Sequence, residues 1–420
     1  MSQKHSVNLD ILRGFAAIIV LIVHLNGSVD FDKYFGQKIS VYYNMPGHLA
    51  VLVFFILSGF VIGLNTPKLN NSAQIKEYIM KRVVRLFPLY AFAIILTLCT
   101  QLYSWQVILS NLFFISVPLG NVMGNAFPLW SLHFEVVFYI TYIFISYFNI
   151  SLSLLVKLLI TTSVLLFAFF HNKPVNPLMV SYIIGLLFWI TGAWLSKIKN
   201  WPVWNISGSR IASIFLLMFC LQNLSIYGPL LKTLNIPTYI YHDPPYHWYQ
   251  QRIMYLNLFF YPFTLVLIMS LIRVYHKINN YLVYFFFIAS LLRVIMLWKV
   301  YSLKYIVEQH YVIPITFLFT SIILWGLNFD FKPLALKAIK STAFFSNISY
   351  AVYILHLPLI FVFGNIVTTS VPGFLIKLFA YLATLYIVSY IMELKVQPII
   401  KNFFIRKKTR LVESPIKLNN

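Results

Sequence analysis

Residues 9–25 read LDILRGFAAIIVLIVHL. A run this apolar and this long fits a helix crossing a bilayer, since about 20 residues span the hydrocarbon core. Similar runs recur along the whole chain. The 420 residues are 60% hydrophobic and 10% charged, whereas ordinary soluble domains carry about 25% charged residues. The expectation is an all-α polytopic membrane protein with no separable soluble domain. Spans are predicted near 9–27, 48–64, 86–103, 129–148, 153–170, 178–196, 209–227, 255–273, 280–298, 309–327, 344–363 and 373–393. Ten to twelve transmembrane helices are therefore expected, forming a membrane domain over 1–394.

The net charge of +22 invites a nucleic-acid partner, but the basic residues track the loops. With both termini cytoplasmic, 23 of the 32 Lys and Arg fall on the inner side, which is the positive-inside pattern. No nucleic acid is expected. Residues 395–420 read as a basic cytoplasmic tail, where Arg406, Lys407, Lys408 and Arg410 suit anionic membrane lipid. The first apolar segment lacks a small-residue cleavage site, so a retained helix is expected rather than a signal peptide. Cys99 and Cys220 fall inside spans and read as small buried hydrophobes.

Between spans, 65–85 reads as a polar cytoplasmic linker. In the external segment 104–128, residues 106–117 suit a helix lying in the interface. The loop 228–254 is rich in Pro and Tyr. Its His242, Asp243 and His247 can be drawn as a metal site, but two prolines and the lack of another clear ligand argue against it, and no metal is expected. No repeat relates the two halves, which speaks against a transporter of inverted repeats.

Polar residues inside spans carry the chemistry. A charge at the centre of a membrane helix costs roughly 2.5–3.5 kcal/mol on translocon scales, so such residues need a reason. Arg13 and His24 are almost three turns apart, on one face and separated by about 16 Å. Arg13 can pair with Asp10 or snorkel as an anchor. His24 is either a neutral core histidine or a base. In KRVVRLFPLY, Arg82 and Arg85 share a face, and Pro88 fits the first turn of the next helix. Two guanidiniums beside a helix N-terminus would bind phosphate; an ordinary positive-inside cluster is the other reading. PLWSLHFEVVFYI holds His133 and Glu135, with Ser131, Glu135 and Tyr139 at i, i+4 spacing. An intramembrane carboxylate points to function, and its expected partner is an imidazole or a guanidinium; a polar clamp between helices is the alternative. SYAVYILHLPL carries Tyr350, Tyr353 and His356, with Pro358 following. Arg293 falls inside the ninth span with no pattern around it, as a misplaced boundary would give.

Taken in order, these stretches resemble the acyltransferase 3 family of membrane acyltransferases. LDILRGFAAIIVLIVH is similar to its opening helix and HLAVLVFFILSGFVIG to its second, with Ser58, Gly59 and Phe60. KRVVRLFPLY is similar to its cytoplasmic arginine motif, WSLHFEVVFY to its Trp-Ser-Leu-x-x-Glu motif, and SYAVYILHLP to its late Tyr-x-x-Tyr-x-x-His-x-Pro motif. One departure is Val51, Leu52 and Val53, where many members carry a polar or acidic residue. The short tail implies a form without the extracytoplasmic hydrolase-like domain of some members.

The resemblance implies a bacterial inner-membrane O-acyltransferase. It would move an acyl group, typically acetyl, from cytoplasmic acetyl-CoA or another acyl-CoA to a hydroxyl. The acceptor would be a cell-surface polysaccharide, its lipid-linked precursor or a related small molecule. Arg82 and Arg85, with Arg13, would hold the donor's phosphates. Ser58-Gly59 would offer a notch for its arm. His24 would act as base, paired with Glu135 on the strength of their similar depth, and His356 or Tyr353 would assist at the oxyanion. Tyr353 and His133 are the expected substrate contacts. Two other readings remain at this point: a carrier or flippase for a lipid-linked or small anionic substrate, and a non-catalytic scaffold of envelope assembly.

Overall fold

The computed structural model describes residues 3–26, 33–34, 45–170, 177–198, 200–233, 255–308, 311–331 and 333–404. Among the described residues, twelve long helices correspond one by one to the predicted spans. They are α1 (Gln3–Asn26), α2 (Gly47–Asn65), α3 (Ser72–Leu98), α4 (Trp130–Tyr147), α5 (Leu152–Phe170), α6 (Pro177–Leu195), α7 (Gly208–Asn223), α8 (Tyr255–Leu271), α9 (Ile278–Val300), α10 (Val312–Leu327), α11 (Pro333–Gly364) and α12 (Val371–Ile391). Eight of these segments are long and apolar enough to cross a membrane. Of the rest, α8 and α10 contain shorter apolar stretches, α7 has 16 residues, and α3 is apolar only beyond its arginines.

Successive helices alternate in direction. A Cβ added to Gly47 would meet Val23, so α2 begins where α1 ends. Asn8 Nδ2 donates to the Leu271 carbonyl at 3.1 Å, so α8 ends where α1 begins. α11 runs parallel to α1: Arg13 donates to Ser346 Oγ at 3.0 Å, and His24 meets His356. Glu393 pairs with Arg85, which returns the last described helix to the end where α1 starts. Each helix can thereby be assigned an arginine end and a histidine end.

α2 and α6 touch backbone to backbone. A Cβ on Gly59 would lie 1.9 Å from the Trp189 carbonyl, and one on Gly192 would lie 1.9 Å from that of Ile56. Small residues permit such approach in a membrane, where packing rather than water expulsion joins helices. This corrects the expected notch: Gly59 receives α6, while Ser58, one residue away, faces a cavity. α7 and α10 are joined differently. Ser213 Oγ donates to the Ser321 carbonyl and Ser321 Oγ to that of Ser213, both at 2.7 Å.

Several boundaries depart from expectation. The stretch from Ser72 to Arg85 is helix, not linker. Asn71 Oδ1 caps it by accepting from Gln74 N at 2.9 Å, and its Gln, Lys, Glu, Met and Arg are good helix formers. Pro88 therefore lies deep inside α3 rather than in its first turn. The segment expected to be helical over 106–117 is helical from Trp105 to Leu112, and residues 395–404, expected as tail, continue the last helix through a π turn, Met392–Val396. Cys220 is buried, but Cys99, just past the end of α3, is exposed. Arg293 stands well inside α9, and its Nε donates at 2.8 Å to the carbonyl of Leu224, the C-cap of α7. A cation suits that negative helix terminus, so the boundary was not misplaced. His242, Asp243, His247, Arg406, Lys407, Lys408 and Arg410 lie outside the described residues.

Candidate functional site

A cavity opens at the arginine end between α1, α2, α3, α4 and α11. Asp10, Arg13, Arg82 and Arg85 line its mouth, Ser58, Glu135 and Tyr139 its middle, and Ser131 and Tyr353 its far end. Val51, Phe54, Phe55 and Val61 supply an apolar wall.

The three arginines are held differently. Arg13 Nη2 donates to Asp10 Oδ1 at 2.7 Å and to Ser346 Oγ at 3.0 Å, leaving its buried Nε without a partner. The Arg85 guanidinium pairs with Glu393 and lies 5.1 Å from the Tyr350 ring centroid. Arg82 pairs with no acidic side chain among the described residues. It rests on the rings of Tyr78 and Tyr139, at 5.3 and 5.7 Å, with a buried, unpartnered Nε. A buried donor left unsatisfied is costly, and an anion in the cavity would relieve it. The helix N-terminus expected to assist is absent here, because α3 begins ten residues before Arg82.

Ser131, Glu135 and Tyr139 all face the cavity, as their spacing predicts. The partners of Glu135 are hydroxyls, however, not the expected imidazole or guanidinium. Ser58 Oγ donates to its Oε1 at 2.6 Å, and the Tyr139 hydroxyl donates to the same oxygen. Trp189 Nε1 donates in turn to Ser58 Oγ at 3.2 Å. His133, two residues from Ser131, points to the other side of α4, as two residues of a helix must. Its Nδ1 meets the Phe114 carbonyl and its Nε2 lies 2.5 Å from the Tyr182 hydroxyl. The structure thus places His133 away from the cavity.

The cavity ends at a hydrogen bond. The Ser131 and Tyr353 hydroxyls are hydrogen-bonded to each other at 2.8 Å, and the Pro128 carbonyl lies 3.0 Å from the first and 3.4 Å from the second. Phe54 packs on Tyr353 with ring centroids 5.2 Å apart. One turn further along α11 comes His356, fully buried, and beside it His24, which does not line the cavity.

Geometry fixes the proton arrangement of this pair. His356 Nδ1 lies 2.7 Å from the Tyr353 carbonyl, and His24 Nδ1 lies 2.9 Å from that of Val20. Carbonyls only accept, so both Nδ1 atoms carry the proton. His356 Nε2 is then an acceptor, 3.1 Å from His24 Nδ1, and the lone pair of His24 sits on Nε2. This is the arrangement of a neutral base whose tautomer is set by its neighbour. The sequence reading does not single out His48, the second residue of α2. Its Nε2 lies 3.1 Å from Asn257 Oδ1, and its ring stacks on Trp130 at 6.1 Å. A histidine in the first turn of an apolar span was the available signal.

A family model described as an acyltransferase domain matches residues 6–282. The chain belongs to the acyltransferase 3 family. Residues 6–282 contain Arg13, His24, Ser58, Arg82, Arg85 and Glu135, whereas Tyr353 and His356 lie beyond the match; the fold of this family member brings the two sets together. An open-reading-frame product of Acidianus two-tailed virus, ORF330, which carries the name of an acetyltransferase, is 25% identical over 52% of this chain and 66% of its own length. Peptidoglycan O-acetyltransferase OatA of Listeria monocytogenes is 29% identical over 33% of this chain and 24% of its own length. The chain therefore matches less than two thirds of either relative. No solved structure matches it.

Proposed function

We propose that this multi-pass membrane protein is an O-acyltransferase that uses a cytoplasmic acyl-CoA, acetyl-CoA in the first instance, and esterifies a hydroxyl of a cell-envelope glycan or its lipid-linked precursor. The observation that carries this reading is the convergence of Arg13, Arg82 and Arg85 on one cavity mouth, with Arg82 unpaired by any acid among the described residues. Such a mouth suits a polyphosphate donor, since guanidiniums bind phosphate with directed, charge-assisted bonds. The positive-inside pattern supports a cytoplasmic face for this end, and the family resemblance supports a bacterial inner membrane. A glycan acceptor accords with the peptidoglycan in the name of the Listeria relative.

In this mechanism the arginines hold the phosphates and the thin arm of the donor lies along the apolar wall past Glu135. The thioester arrives at Ser131 and Tyr353. The Tyr353–Ser131 bond must open for the acyl carbon to meet an acceptor beside His24. His24 Nε2 then takes the acceptor's hydroxyl proton as the oxygen attacks the thioester carbonyl. The C–S bond breaks, and the proton passes to the leaving thiolate. Products are an O-acyl ester and the free thiol. General-base assistance of this kind contributes roughly 10²–10⁴-fold. His356, buried and bonded to His24, keeps the proton off Nε2.

The test is mass spectrometry of envelope glycans from cells with and without the gene, beside acetyl-CoA consumption by membranes containing the protein. The expected result is a glycan ester that appears only with the gene. Membranes that hold the protein and leave acetyl-CoA intact would end the acyltransferase reading.

A further inference from the structure

Two polar residues near the end of the chain reach across the bundle to α3. Pro88 lacks the N–H that would bond the carbonyl four residues back, and that carbonyl, of Val84, accepts from Gln397 Nε2 at 2.7 Å. One turn before Gln397 stands Glu393, which is 7% exposed and pairs with Arg85. Glu393 lies inside the π turn Met392–Val396 and Gln397 directly after it. Single π turns are rare and recur at functional sites.

The charges give these contacts a purpose. Arg13, Arg82 and Arg85 line one mouth and repel one another. Asp10 offsets the first and Glu393 the third. The Arg85 side chain is 41% exposed, so without a tether it would be free to take many rotamers. Ordering a long side chain on binding lowers affinity. Glu393 on one Nη and the Tyr350 ring against the guanidinium remove that freedom beforehand. The second Nη and Nε remain available to a ligand.

We propose that Glu393 and Gln397 are positioning residues of the donor site. Gln397 stabilises α3 where Pro88 interrupts its bonding, and Glu393 fixes the Arg85 guanidinium, so that Arg82 and Arg85 together meet the donor's anionic group. The last helix is thereby part of a site whose Arg82 and Arg85 belong to the third. This rests on the acyl-CoA reading above.

The experiment measures acetyl-CoA turnover by the full chain in membranes as a function of donor concentration, with protein level read by immunoblot. Glu393→Gln is expected to raise the donor KM about tenfold, the equivalent of one lost charge-assisted contact, while kcat stays within about twofold. Gln397→Met, similar in volume but without a donor, is expected to raise KM in the same way. Should that variant fail to accumulate, Glu393→Gln alone decides. Arg85→Ala combined with Glu393→Gln is expected to bind donor no worse than Arg85→Ala, because Glu393 acts through Arg85. Lys81→Gln, which breaks an exposed pair with Glu77, is expected to leave KM unchanged. A Glu393→Gln enzyme with an unchanged or lower donor KM overturns the proposal, as does an additive double variant. Both of those outcomes leave the acyltransferase reading standing. Wild-type protein that turns over no acetyl-CoA overturns that reading and this proposal together.

Discussion

At Arg13 the first helix enters a charged region: its own pair with Asp10, the Arg85–Glu393 bridge and the tyrosine-backed Arg82. Eleven residues later, at His24, the same helix meets a second imidazole bonded only through nitrogens and carbonyl oxygens. The first region has donors to spare and opens into the cavity. The second has one lone pair, on His24 Nε2, without a partner among the described residues, and stands behind Tyr353. Charged groups near an opening can trade water for a ligand, whereas an imidazole with one nitrogen already donating keeps the other to accept a proton. In the proposed mechanism, recognition belongs to one end and proton transfer to the other.

Breaking the histidine end should give the largest effect. His24→Ala is expected to lower kcat by at least about 10²-fold, the lower end of what a general base contributes, with donor KM little changed; a variant that keeps wild-type kcat would dissolve the distinction between the ends. Breaking the arginine end should move the other parameter. Arg82→Glu is expected to raise the donor KM on the order of 10²-fold through charge reversal at a desolvated anion site, while affinity for the acceptor holds. Equal loss for both substrates would show that the two ends are one site. The smallest effect tests the boundary between them. Tyr353→Phe removes a hydrogen bond worth about 1 kcal/mol that closes the cavity against Ser131. It is expected to raise acceptor-independent hydrolysis of acetyl-CoA several-fold, measured as free thiol released without ester, with the forward rate changed less.

Much of this architecture is legible in the sequence, because apolar runs of bilayer length mark helices whatever packs against them. All twelve expected spans are helices, and the faces shared by Arg13 with His24 and by Ser131 with Glu135 and Tyr139 follow from the helical repeat. Failures came where a local signal competed with a distant one. Pro88 looks like the start of a helix until Gln397, 313 residues away in sequence, is seen bonded to the carbonyl it leaves bare. The polar run before it looks like a linker, yet consists of helix formers behind an Asn cap. Glu135 and His24 were matched by an expected common depth, but Ser131 and Tyr353 stand between their levels, and Glu135 meets Ser58 and Tyr139 instead. His133 was drawn into the site by its neighbours in sequence, although a helix sends it to the opposite side. Glu393 carries no local mark at all; its partner is on α3.

The stitch between Gln397 and the Val84 carbonyl also has a bearing on biogenesis. Translation proceeds at about 5–20 residues per second, so the 313 residues that separate the two take roughly 15–60 s to make. Throughout that interval α3 lacks the partner of its Val84 carbonyl and the tether of its Arg85. Completion of the arginine pole thus waits on the segment that carries Glu393 and Gln397, and a nascent chain stalled before it would hold the histidine pole without that stitch.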